Sequence, residues 1–193
     1  MRVYFVLAAL ALLACGCAHA VIDVQGTEPD HRMKVAVMDF PDTAAYKALR
    51  DYNVGGSAGS EHADVLVARA VRGALAKCPL YDVTDWLDMR RALKRPREIL
   101  PVSDAEAISM GKTLGVEAVI VGTVESYRQT WVLPLYGWAK VAFTARCLEV
   151  STGKELWRAH VEDRKRGAIE EDLAADLCRR MHEQLHGAKK TPY

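Results

Sequence analysis

Residues 117 to 127 read EAVIVGTVESY, the strongest strand signal in the chain and the feature that most restricts its fold. β-Branched side chains pack well on a pleated surface, and a strand apolar at consecutive positions belongs in a sheet covered on both faces. A second such run, MKVAVMDF at 33–40, is closed by Pro41 and also reads as a buried strand. Between the two lie helical patterns. Val65, Ala68, Val71, Leu75 and Cys78 recur at helical spacing, with Ser60 at the N-cap position and Pro79 to stop the run. YDVTD at 81–85 is a short returning strand, so strand, helix and strand predict a parallel, right-handed βαβ unit. WLDMRRALKRPREIL starts as a helix and breaks at Pro96, and Ser103 with Glu106 forms a capping box for a helix that Gly115 is placed to end. A strand from about 139 to 150, the turn Ser151-Thr152-Gly153-Lys154 and a partner at 155–163 read as a hairpin, and 167–187 as a closing helix. The expected fold is a single α/β domain: a mixed sheet with a βαβ start, an antiparallel C-terminal meander and helices on both faces.

The chain of 193 residues carries a formal net charge of +1, so no general attraction to nucleic acid or to acidic surfaces is implied. Its N-terminus is different in kind. Arg2 precedes an uninterrupted apolar run from Val3 to Ala14, shorter than the ~20 residues of a membrane-spanning helix and of the size of a signal-peptide core. The run ends in Leu12-Leu13-Ala14-Cys15, which resembles the lipobox of bacterial lipoproteins. The resemblance implies cleavage before Cys15 and acylation of that cysteine, with Cys17 the alternative. More than one acyl chain on one cysteine gives stable anchoring, and Gly16 after the anchor favours, by the same resemblance, the outer membrane. The expected organisation is a signal peptide at 1–14, a lipidated cysteine and tether at 15–32, the domain at 33–187 and a tail at 188–193. Cysteines outside the cytoplasm can form disulfides, but Cys78, Cys147 and Cys178 make no Cys-x-x-Cys pair, and buried free thiols are the expectation.

Residues 182–186 spell HEQLH, which matches the zinc-peptidase signature H-E-x-x-H. Ile169, Leu173, Leu177, Cys178, Met181 and Leu185 form the apolar stripe of that helix. At about 100° per residue, His182 falls at the edge of the stripe and His186 almost opposite its centre, so both imidazoles are expected to point away from the core. No His, Asp or Glu follows to act as a third ligand. No metal or other cofactor is assigned, with weak capture at His182 and His186 as the alternative. The basic clusters at 89–98 and 163–167 read as solvated faces, with anionic headgroups or envelope polymers as the functional alternative. Gly55-Gly56-x-x-Gly59 lacks the ending of a phosphate loop. Asp39 ends a strand where α/β enzymes often keep an acid, and alone it reads as a turn or capping residue.

Four segments, KVAVMDF (34–40), YDVTDW (81–86), LGVEAVIVGTV (114–124) and LEVSTGKELW (148–157), together resemble the CsgG-like and LpoB-like envelope lipoproteins, whose fold is like the N-terminal domain of TolB. The motifs are structural: the buried strand, Gly122 in mid-strand and the turn from Thr152 to Trp157. Asp85-Trp86 departs from the arginine that often follows the second segment. The resemblance implies a periplasm-facing, lipid-anchored protein that binds an envelope partner and is not an enzyme, with a ring-forming secretion subunit as the alternative and a zinc peptidase as a distant one. The segment 128–138, read as a loop, is too short for the membrane hairpins of the channel members, so no pore of its own is expected. That aromatic loop, with Trp131, Tyr136 and Trp138, and the connection at 41–59 are the expected contact surfaces. Neither the envelope partner nor the oligomeric state is named by the sequence.

Overall fold

The computed structural model describes residues 20–43, 57–59, 62–94, 99–101, 103–133 and 136–187, with the side chains of 57–59, 130–133 and 136 outside the description. The strands are β1 (Val21–Gly26), β2 (Met33–Val37), β3 (Ser57–Gly59), β4 (Tyr81–Val83), β5 (Ala118–Leu133), β6 (Tyr136–Glu149) and β7 (Glu155–Arg166). The helices are α1 (Ala63–Leu75), α2 (Trp86–Leu93), α3 (Asp104–Leu114) and α4 (Glu170–Gly187). They make one mixed sheet in the order β1-β7-β6-β5-β2-β4, with β3 paired to the far stretch of β5, at Arg128 to Thr130.

β2 runs parallel to both β4 and β5, which flank it. The chain steps from β2 through α1 to β4, then back past β2 through α2 and α3 to β5. Right-handed crossovers in opposite directions put their helices on opposite faces, and the core divides accordingly. Val35, Val37, Ile120, Phe143 and Trp157 face α1 and α4. Ala36, Met38, Val119, Val121 and Leu148 face the other way, against Met89 of α2 and Ala107 and Met110 of α3. The unbroken apolar runs of β2 and β5 are therefore two alternating sets, one for each covered face.

Local signals behave as the spacing predicts at several ends. Ser103 accepts a hydrogen bond from the Glu106 amide at 3.2 Å, and Gly115 closes α3 with φ +61, a left-handed conformation that glycine adopts without steric cost. Asp85 caps α2, accepting from the Leu87 amide at 2.8 Å. Ser60, the expected cap of α1, lies outside the described residues, and the helix starts after His62 without a side-chain cap. Ile169, placed on the stripe of the last helix, precedes α4 and is 49% exposed.

Two assignments change. Residues 21–26, read as tether, form an edge strand antiparallel to β7, with Val24 opposite Ala159; Ile22 and Val24 pack on the core. The segment 128–138, read as a loop, continues β5 and β6, whose pairing runs out to Leu133 opposite Tyr136. Both segments gain from neighbours distant in sequence what their own composition does not supply: β7 pairs with β1, and β3 pairs with Arg128 to Thr130.

Gly122 sits where β5 crosses beneath Phe40. A Cβ there would lie 2.3 Å from the Thr144 carbonyl oxygen and 2.4 Å from the Phe40 ring. The oxygen belongs to backbone locked in the β5–β6 ladder and cannot retreat alone. Gly122→Ala is expected to destabilise the domain by about 1–3 kcal/mol through overpacking, read as a lower urea midpoint at unchanged slope.

Candidate functional site

The helix that carries HEQLH lies beside α1 on one face of the sheet, with Leu177, Cys178, Met181 and Leu185 buried. His182 stands at the margin of this stripe, and its Nε2 is buried without a hydrogen-bond partner. His186 is half exposed, and its Nδ1 lies 3.2 Å from Oε2 of Glu28, whose side chain is fully buried. The two imidazoles stack, with ring centroids 6.2 Å apart. The other oxygen of Glu28 lies 4.0 Å from the Cys78 sulfur, just beyond the end of α1. Burial, with Glu28 nearby, pushes the Cys78 thiol up from its ordinary range.

The expectation that both histidines face solvent is corrected for His182, and His186 gains an acidic partner. The reason is the edge strand. Once 21–26 joins the sheet, the next turn delivers Glu28 under the end of α4, a position no tether would hold. Sequence reading passed over Glu28 for this reason. The alternation Ile22-Asp23-Val24-Gln25 is the local signal that identifies the strand.

Glu183 does not join this group. It is exposed, and Arg179 one turn earlier donates to it at 2.5 Å. In the peptidase signature the glutamate must reach a water on the metal that its histidines hold. Here it is held on the outer face while His182 turns inward, so the peptidase constellation is not assembled.

Asp39 is fully buried, and one carboxylate oxygen accepts from the Ile99 amide at 2.8 Å. The other faces Arg72 Nη2 at 3.9 Å, and Arg72 also donates to the Val37 carbonyl at 3.0 Å. Burial pushes the Asp39 carboxyl up and the Arg72 guanidinium down from their ordinary values. This acid ties β2 to α1 and to the segment before α3. Cys147 and Cys178 are buried free thiols, and burial pushes Cys147 up to about 12.

Of the expected contact aromatics, Trp138 lies in β6, where Arg164 of β7 stacks over its ring at 4.7 Å. Trp131 pairs across the hairpin with Gly137; the side chains of Trp131 and Tyr136 lie outside the description. These residues belong to a strand extension rather than a loop. Residues 44–56 of the expected contact loop, and Cys15 and Cys17, lie outside the described residues. In the basic clusters, Arg90 covers Trp86 at 4.6 Å and Arg91 pairs with Asp88 at 3.0 Å. Among the described residues, no helix is long and apolar enough to cross a membrane.

No protein-family model matches the sequence, and no curated protein does. Solved structures do. The PelC dodecamer from Paraburkholderia phytofirmans superposes with a TM-score of 0.60 at 15% identity, covering 86% of this chain and 97% of that one. In fold, this chain is similar to PelC. The lipoprotein GNA1162 from Neisseria meningitidis follows with a TM-score of 0.51 at 18% identity, covering 80% of this chain and 99% of that one. The LpoB C-terminal domain from Salmonella enterica also matches, at a TM-score of 0.43 and 13% identity over 82% of this chain and 90% of that one. At these identities the likeness to PelC and to GNA1162 is one of fold, and it agrees with the single mixed α/β domain that the strand and helix patterns predict.

Proposed function

We propose that this chain is a lipid-anchored envelope protein that works by binding other chains rather than by catalysis, and that copies of itself are the first of these. The observation that carries the reading is the whole-domain likeness to PelC, a protein solved as a dodecamer. The sheet is compatible with such an assembly. β1 and β4 are edge strands at opposite ends of the sheet, and a head-to-tail contact between unlike surfaces closes into a ring when the rotation between copies allows. The likeness to a solved lipoprotein and the lipobox-like Leu12-Leu13-Ala14-Cys15 support the anchor, Cys17 being its alternative position, and an outer-membrane location facing the periplasm. With β1 starting at Val21, the stretch from Cys15 to Ala20 spans at most about 20 Å, so an anchor at Cys15 holds the domain against the membrane. In this reading the β5–β6 hairpin end, with Trp131, Tyr136 and Trp138, is the surface offered to an envelope partner. The CsgG-like resemblance belongs with the same reading: a subunit of a secretion or envelope-assembly complex without membrane hairpins of its own.

The test is the native mass of the full chain extracted from membranes in mild detergent. A defined multiple of the single-chain mass is expected, and a monomer at high protein concentration overturns the ring. In the same preparation a metabolic acyl label should be present and lost in Cys15→Ala. A label that persists there moves the anchor to Cys17.

A further inference from the structure

We propose that Glu28, Cys78 and His182 form a binding site for a divalent transition metal of zinc-like character, with His186 holding the carboxylate in place. One donor atom from each of the three lies within 4.8 Å of the other two. They come from the turn after β1, the end of α1 and the last helix, and each is well held. The Thr27 amide donates to the Leu156 carbonyl at 3.3 Å and the Cys78 amide to the Leu75 carbonyl at 2.9 Å, while His182 is flanked by the buried Met181.

Zinc bonds of about 2.0–2.3 Å put neighbouring donors of a tetrahedral site roughly 3.3–3.8 Å apart. The sulfur and the Glu28 oxygen, 4.0 Å apart, already approach that spacing, and side-chain rotation closes the rest. An independent observation points the same way: Nε2 of His182 is buried with no hydrogen-bond partner. Such a nitrogen costs free energy unless something meets it. A metal ion would do so, and the thiol proton would leave to solvent as the sulfur binds.

The donor set selects the ion. A thiolate beside an imidazole suits zinc and its softer neighbours, whereas magnesium and calcium favour all-oxygen sites. His186, 3.2 Å from Glu28 Oε2, stands where an outer hydrogen-bond partner orients a ligand. A surface groove between α1 and α4, lined by Gly73, Lys77, Arg179 and His182, gives solvent a way to the imidazole. A metal here would clamp the N-terminal edge strand to the first and last helices. It would also give the two histidines of HEQLH a role that leaves Glu183 outside it.

The test uses the full chain in mild detergent, stripped with chelator and titrated with Co2+. One Co2+ per chain is expected, with a thiolate-to-metal charge-transfer absorption that Zn2+ bleaches and a thermal midpoint that rises in Zn2+ and falls back in EDTA. Cys78→Ser should abolish the absorption. His186→Ala should weaken binding about 10–100-fold, as loss of an outer-shell partner does, and leave the stoichiometry at one. The proposal is overturned by a wild-type chain without the absorption, or by one whose absorption survives in Cys78→Ser. Should that variant fail to fold, His182→Ala, at a partly exposed position, decides the matter by circular dichroism and Co2+ affinity. Unchanged affinity in the folded variant overturns the site, and a loss of tenfold or more supports it.

Discussion

Asp39→Ala should lower the free energy of unfolding by about 3–5 kcal/mol, the cost of leaving one member of a buried ion pair without the other. The carboxylate is fully buried, receives the Ile99 amide at 2.8 Å and faces Arg72 at 3.9 Å. Truncation strands both. The Arg72 side chain is 15% exposed, so water offers its charge only partial relief. The directions of the shifts sharpen the prediction. Burial raises Asp39 and lowers Arg72, so desolvation outweighs the attraction between them, and the pair is costly to break without being a large net source of stability. The double variant Asp39→Leu, Arg72→Met should therefore be much less damaging than Asp39→Ala alone. Urea unfolding of both variants checks this. A single variant within about 0.5 kcal/mol of wild type, the range of an ordinary surface substitution, would remove the pair from the account of this fold.

Trp157→Ala is expected to cost a similar amount, about 3–5 kcal/mol for deleting a buried indole. Trp157 is 1% exposed, and its Nε1 donates to the Tyr81 hydroxyl at 3.0 Å. β7 and β4, the strands that carry them, lie four places apart in the sheet, which in a flat sheet would separate them by roughly 19 Å. The two side chains meet because the sheet twists and curls over this face. They fasten the curl, and burial pushes the Tyr81 phenol far up from its ordinary range. Trp157→Phe retains most of the ring area but leaves the Tyr81 oxygen without its donor, so about 1–3 kcal/mol is expected. Tyr81→Phe removes the orphan in turn and, combined with Trp157→Phe, should recover part of the loss. Additive losses in the double variant would show that the hydrogen bond contributes nothing.

Much of the molecule follows from its local patterns. The unbroken apolar runs in MKVAVMDF and EAVIVGTVESY assign buried strands, Ser103 and Gly115 bound a helix, and Leu173, Leu177, Met181 and Leu185 mark the inner face of α4. Given those elements in that order, right-handed crossovers leave few ways to build the sheet. These signals are local because they depend on the period of the chain and on the φ,ψ preferences of single residues.

The candidate metal cluster is of another kind. Glu28 and Cys78 are 50 positions apart and Glu28 and His186 are 158 apart, and no local period links them. Their meeting depends on β1 adding to the edge of β7, for which Ile22 and Val24 supply the apolar side chains and the open hydrogen-bonding groups of that edge supply the partner. The same reason explains the hairpin end: 128–133 stays extended because β3 and β6 pair with it. Local patterns are enough to set the succession of strands and helices and the two apolar faces they cover. Which edges are filled depends on the packing of segments remote in sequence, and that packing brings a carboxylate, a thiol and an imidazole within reach of a single ion.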